Sequence, residues 1–70
     1  MLNATYNGKD VTIGFAVQAV NLKWSNDGHD TRTLDALLIR AMSGGADNTD
    51  AANARSVLND IIPGMEFFPR

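Results

Sequence analysis

The chain has no cysteine among its 70 residues, so neither a disulfide nor a thiolate-held metal can staple it. Aromatic residues are few, with one Trp, one Tyr and three Phe. Histidine occurs once, at His29, and glutamate once, at Glu66. No apolar run approaches the roughly 18 to 20 residues needed to cross a bilayer. No basic region precedes an apolar segment near Met1, so a secretory signal is not expected. Together these features lead to the expectation of a cytoplasmic protein with no membrane association.

Positive charge is also sparse. Lys9, Lys23, Arg32, Arg40, Arg55 and Arg70 are scattered, and eight acidic residues leave a formal charge of −2. A nucleic-acid surface needs clustered Lys and Arg to neutralise phosphates, so direct nucleic-acid binding is not expected. A chain this short buries only about 60% of the surface exposed by its unfolded form. One small domain over residues 1–70 is therefore expected, self-folding but marginal, or stabilised by a dimer or a partner.

What is present is punctuation. Seven Asp, seven Asn and six Gly favour caps and turns over helix interiors. Asn7-Gly8 suits a two-residue type I′ hairpin turn. Folding there sets Tyr6 opposite Lys9, Thr5 opposite Asp10, Ala4 opposite Val11, Asn3 opposite Thr12 and Leu2 opposite Ile13. Leu2, Ala4, Tyr6, Val11 and Ile13 then share one face. Residues 14–24 offer two readings. Ile13, Ala16, Val17, Val20 and Trp24 recur at helical spacing, whereas β-branched and aromatic content favours strand. The strand reading is preferred here, to about Val17 and again over Val20 to Trp24.

Ser25 to Asp30 reads as a loop. A helix follows to Met42, capped by Asp30 or Thr31, with Leu34, Leu37, Leu38, Ala41 and Met42 on its core stripe. Ser43-Gly44-Gly45 closes it. Asn48 or Thr49 caps a second helix, in which Ala51, Ala54, Leu58, Ile61 and Ile62 line one face and which Pro63-Gly64 ends. Met65 to Phe68 reads as a final strand ended by Pro69. The expected architecture is α+β: a small antiparallel sheet of the N-terminal hairpin plus one or two short strands, packed against an αα-hairpin, in the order β-β-(β)-α-α-β.

Asn26, Asp27, His29 and Asp30 form the one cluster joining an imidazole to carboxylates. Asp27, His29 and Asp30 are the candidate ligands for a divalent ion, but their spacing fits neither an EF-hand nor a helical His pair. A capped, solvated loop is preferred, and neither metal nor cofactor is expected. Ser25, Ser43 and Ser56 lack a nucleophile-elbow context, and Gly8-Lys9 lacks the rest of a phosphate loop. A helix-turn-helix would present only Arg55 among Asp and Asn. Catalysis is therefore not expected, and a metal-dependent hydrolase centred on His29 ranks third among the functions considered.

The surplus is apolar. Ile39 lies off the Leu34–Leu38 stripe, Trp24 adjoins a polar loop, and Phe67 and Phe68 must face opposite ways in a strand. Trp24, Ile39 and Phe68 are the expected partner-binding anchors, with Arg32, Arg40 and Arg70 as polar contacts. A short sheet edge is a further candidate contact. The expected function is a non-enzymatic, protein-binding accessory or inhibitory factor acting on a larger protein or complex. Small size and lack of cofactor chemistry resemble the small proteins of phages and mobile elements that block host machinery. A homo-oligomeric assembly component is the alternative.

Overall fold

The computed structural model describes residues 2–69; Arg70, an expected polar contact, lies outside them. Three strands and three helices follow in the order β1 (Leu2–Tyr6), β2 (Lys9–Val11), α1 (Ile13–Asn26), α2 (Thr31–Met42), α3 (Thr49–Asn59) and β3 (Met65–Pro69). The fold is α+β, with one antiparallel sheet ordered β2-β1-β3. Asn7 (φ 52°) and Gly8 (φ 82°) both take the left-handed conformation that a type I′ turn requires. The hairpin register is Tyr6–Lys9, Thr5–Asp10 and Ala4–Val11, as the alternation demands.

The hairpin stops there. The expected pairs Asn3–Thr12 and Leu2–Ile13 do not form, because Thr12 leaves the sheet to cap α1. Its hydroxyl accepts from the Phe15 N–H at 3.1 Å, satisfying one of the donors that a helix start leaves orphaned. Residues 14–24 are therefore helix, not two strands. The helical pattern places Ala16 and Val20 in full burial, with Val17 and Trp24 packed beside them. Burial outweighs the local β preference of the valines and Phe15, since propensity is the weaker term.

The core joins Leu2, Ala4, Met65 and Phe67 of the sheet to Ala16 and Val20 of α1, Leu34, Leu37, Leu38 and Ala41 of α2, and Ala54 and Leu58 of α3. α1 packs on β1, α3 packs on β3, and α2 lies against both helices. Asp30 caps α2 by accepting from the Arg32 N–H, and Asn48 caps α3 by accepting from the Ala51 N–H. α3 ends at Asn59, earlier than Pro63 requires. Asp60 and Ile61 donate instead to Val57 and Leu58, three residues back, which tightens the last turn. Ile61 and Ile62 still pack against the core from this turn.

One basic side chain belongs to the interior. Arg55 is buried, at 5% exposure. Its guanidinium donates to the carbonyls of Ala41 at 3.0 Å and of Gly44 and Gly45 at 3.3 Å each. These oxygens belong to the C-terminal turn of α2 and its exit, where carbonyls lack intrahelical partners and the helix dipole favours a cation. Arg55 thus closes α2 from within α3 and ties the two helices together.

Candidate protein-interaction surface

The outer edge of β3 is closed to strand addition. The Phe67 N–H donates to Asn59 Oδ1 at 2.6 Å, and Asn59 Nδ2 donates back to the Phe67 carbonyl at 3.4 Å. The Asn59 amide stands where a neighbouring strand's peptide would stand. Because Phe67 turns these groups away from β1, the alternation of the ladder turns those of Met65 and Pro69 the same way. The Met65 N–H is already given to the Ile62 carbonyl at 3.1 Å, and proline has no N–H. No outward donor on β3 is left for an incoming strand. At the other edge β2 is three residues long and carries Lys9 and Asp10, a short charged edge of the kind that resists pairing. This geometry leaves no outward donor on β3 for the expected sheet-edge contact, and only the short, charged β2 edge beside it.

The loop that holds His29 is organised around Trp24. The indole Nε1–H donates to the Asp30 carbonyl at 2.8 Å, and the His29 ring lies against the indole with centroids 4.4 Å apart. Trp24 is half-buried against the core at the last turn of α1; it pins the α1–α2 connection. Asp27 pairs with Lys23 at 2.6 Å and Asp30 pairs with Arg32 at 3.0 Å. Asp27, His29 and Asp30 are thus committed to loop structure, and among the described residues no three His, Asp or Glu side chains stand close enough to share a metal ion.

Side-chain and then backbone hydrogen bonds from Arg32 hold the Asp30 carboxyl below the ordinary aspartate range. A side-chain bond from Arg40 does the same for Asp50, across a 2.7 Å ion pair that joins α2 to α3. A carboxyl whose pKa is lower folded than unfolded adds stability above its unfolded value, and that stability is lost as pH falls through the folded value. The melting temperature should therefore hold near neutrality and decline below about pH 4. An Asp30→Asn, Asp50→Asn double variant should show a shallower decline in melts followed by circular dichroism. All four side chains are exposed, so added salt should weaken the effect.

Ile39 is 62% exposed, and Met42, expected on the core stripe, is instead 47% exposed, because the helix ends at it and the buried stripe stops at Ala41. Three residues apart, they adjoin on the helix surface. Arg32, about two helical turns before Ile39, keeps a side chain 89% exposed even while paired to Asp30. Arg40 is engaged by Asp50. Phe68 belongs elsewhere: it is half-buried on the sheet face opposite Phe67 and lines a depression with Asn3, Asp10 and Val11. The expected anchors thus fall on separate surfaces, with Trp24 in a loop contact, Phe68 on the outer sheet face and Ile39 on the outer side of α2.

The outer side of α1 was not among the expected surfaces, because a strand reading spreads its residues over two sheet faces. Phe15 is 52% exposed and Leu22 65% exposed, and they border a shallow depression with Gln18, Ala19 and Asn21. The signal was present as a second apolar set, Phe15, Ala19 and Leu22, at its own helical spacing. No known family model, characterised protein or solved structure matches this chain.

Proposed function

We propose that this chain is a non-enzymatic protein-binding factor, a small accessory or inhibitory protein that acts by occupying a surface of a larger protein or complex. The observation that carries this reading is the exposed Ile39–Met42 pair on α2, a helix whose opposite side supplies four buried core residues. An apolar pair at i and i+3 on a helix held rigid from behind suits insertion into a groove of another protein. Ile39 is the anchor, Met42 adapts to the groove wall, and Arg32 supplies a polar contact at the rim. The inhibitory and phage-like parts of the reading rest on small size and the lack of cofactor chemistry, and the cytoplasmic part on the short, cysteine-free sequence.

The test compares wild type with Ile39→Asp in affinity capture followed by mass spectrometry. Because the Ile39 side chain is in solvent, the variant should melt like wild type, within about 0.5 kcal/mol. It should lose the captured partner through a penalty of about 2 kcal/mol or more. Capture of the same protein by both forms would contradict the reading, and an unfolded variant would assign Ile39 to the core.

A further inference from the structure

We infer that the pocket between the last turns of α1 and α3 takes the guanidinium of an arginine side chain presented by another protein. That a protein supplies this side chain rests on the reading above, but the pocket shares no residue with the Ile39–Met42 contact. Lys23, Trp24, Asp27 and His29 line it from the α1 side, and Val57, Asp60 and Ile61 from the α3 side. Its volume is about 340 Å³, at the lower end of ordinary ligand sites.

Charge selects the occupant. The ammonium of Lys23 is already held by Asp27 at 2.6 Å, whereas Asp60 pairs with no cation among the described residues. One carboxylate is thus left over in a pocket whose own lysine is neutralised. α1 ends at Asn26 and α3 at Asn59, so both helices bring the negative end of their dipole to this place. A cation is favoured by all three sources, and an anion is repelled by them.

The cation is an organic one. Among the described residues no three His, Asp or Glu side chains stand close enough to share a metal ion, so a bare divalent ion would find too few ligands. The walls instead suit a charged group on an apolar stem. Val57 and Ile61 offer surface to methylenes, and the Trp24 indole attracts positive charge. Guanidinium answers this set better than ammonium, because it stacks on aromatic rings, forks onto a carboxylate and is more weakly hydrated. Trp24 is held in place beforehand by its Nε1–H bond to the Asp30 carbonyl and by the His29 ring, so binding need not order it.

Trp24 is the single tryptophan, and its fluorescence therefore reports the pocket directly. The probe is a capped tripeptide with arginine between two glycines. It should shift the emission with a dissociation constant on the order of 1 mM. The same peptide with citrulline, which keeps the shape and loses the charge, should bind about tenfold more weakly or worse. Asp60→Asn should weaken arginine binding about threefold or more while melting like wild type, since its side chain is exposed. Asp47→Asn removes the same charge ahead of the start of α3 and should change nothing. Ile39→Asp should bind the peptide as wild type does. Equal binding of the arginine and citrulline peptides, equal binding by Asp60→Asn and wild type, or no response at several times the expected constant would each overturn the inference. Partner capture that depends on Ile39 without any peptide binding would remove this pocket alone; peptide binding with capture indifferent to Ile39 would remove the α2 contact alone.

Discussion

Arg55→Ala is expected to lower the stability of this domain by about 2–4 kcal/mol, read by urea denaturation. The guanidinium is buried and serves three carbonyls at the exit of α2. Alanine removes this donor from the Ala41 and Gly44 carbonyls, leaves the Gly45 carbonyl with the Asn48 N–H alone, and opens a cavity between α2 and α3. For a chain this small, total stability is roughly 4–10 kcal/mol, so a substantial unfolded fraction is expected at elevated temperature. Arg55→Met separates the two causes. It refills much of the volume but donates nothing, so it should recover part of the loss and no more. Full recovery by methionine would show that Arg55 acts by packing alone.

Asn59→Ala is the second large effect, at about 1–3 kcal/mol. Both polar groups of Phe67 lose their partner at a position whose side chain is in the core. The Phe67 amide should then exchange with deuterium markedly faster relative to wild type, beyond what the global loss of stability explains. Asn59→Asp keeps an acceptor for the Phe67 N–H but turns a carboxylate towards its carbonyl, so its stability should fall between wild type and alanine. An Asn59→Ala variant with wild-type stability and unchanged Phe67 exchange would mean that the edge of β3 is protected by something other than this amide.

Much of the fold is legible in the residues because several levels agree. At Asn7-Gly8 the turn chemistry and the alternation of Leu2, Ala4 and Val11 select one register, and the structure adopts it. At Thr31–Met42 the cap, the stripe and the glycine stop coincide, and Ile39 comes out exposed as its place on the helix requires. Residues 13–26 read ambiguously because α1 is apolar on two sides. Ala16, Val17 and Val20 form one stripe and Phe15, Ala19 and Leu22 another. Two stripes blur the helical period, and a run alternating between them imitates strands. Thr12, three residues before Phe15, was the available sign of a helix start.

The interaction surface was less legible, for two physical reasons. Exposure of an apolar residue depends on which neighbours arrive from distant elements; Trp24 is drawn into a loop contact with Asp30 and His29 that its local sequence does not announce. Edge closure likewise depends on a pairing between Asn59 and Phe67. Asn59 reads locally as one more polar helix residue, and Arg55 as one more surface cation. Both are instead buried or half-buried connectors.

If helix faces rather than sheet edges carry the binding, the most direct measurement is amide hydrogen exchange along the whole chain, with and without the captured partner. Protection is expected to rise over Thr31–Ser43, around Ile39 and Met42, with no change at Met65–Pro69. New protection confined to Met65–Pro69 or Lys9–Val11, with α2 unaffected, would contradict it.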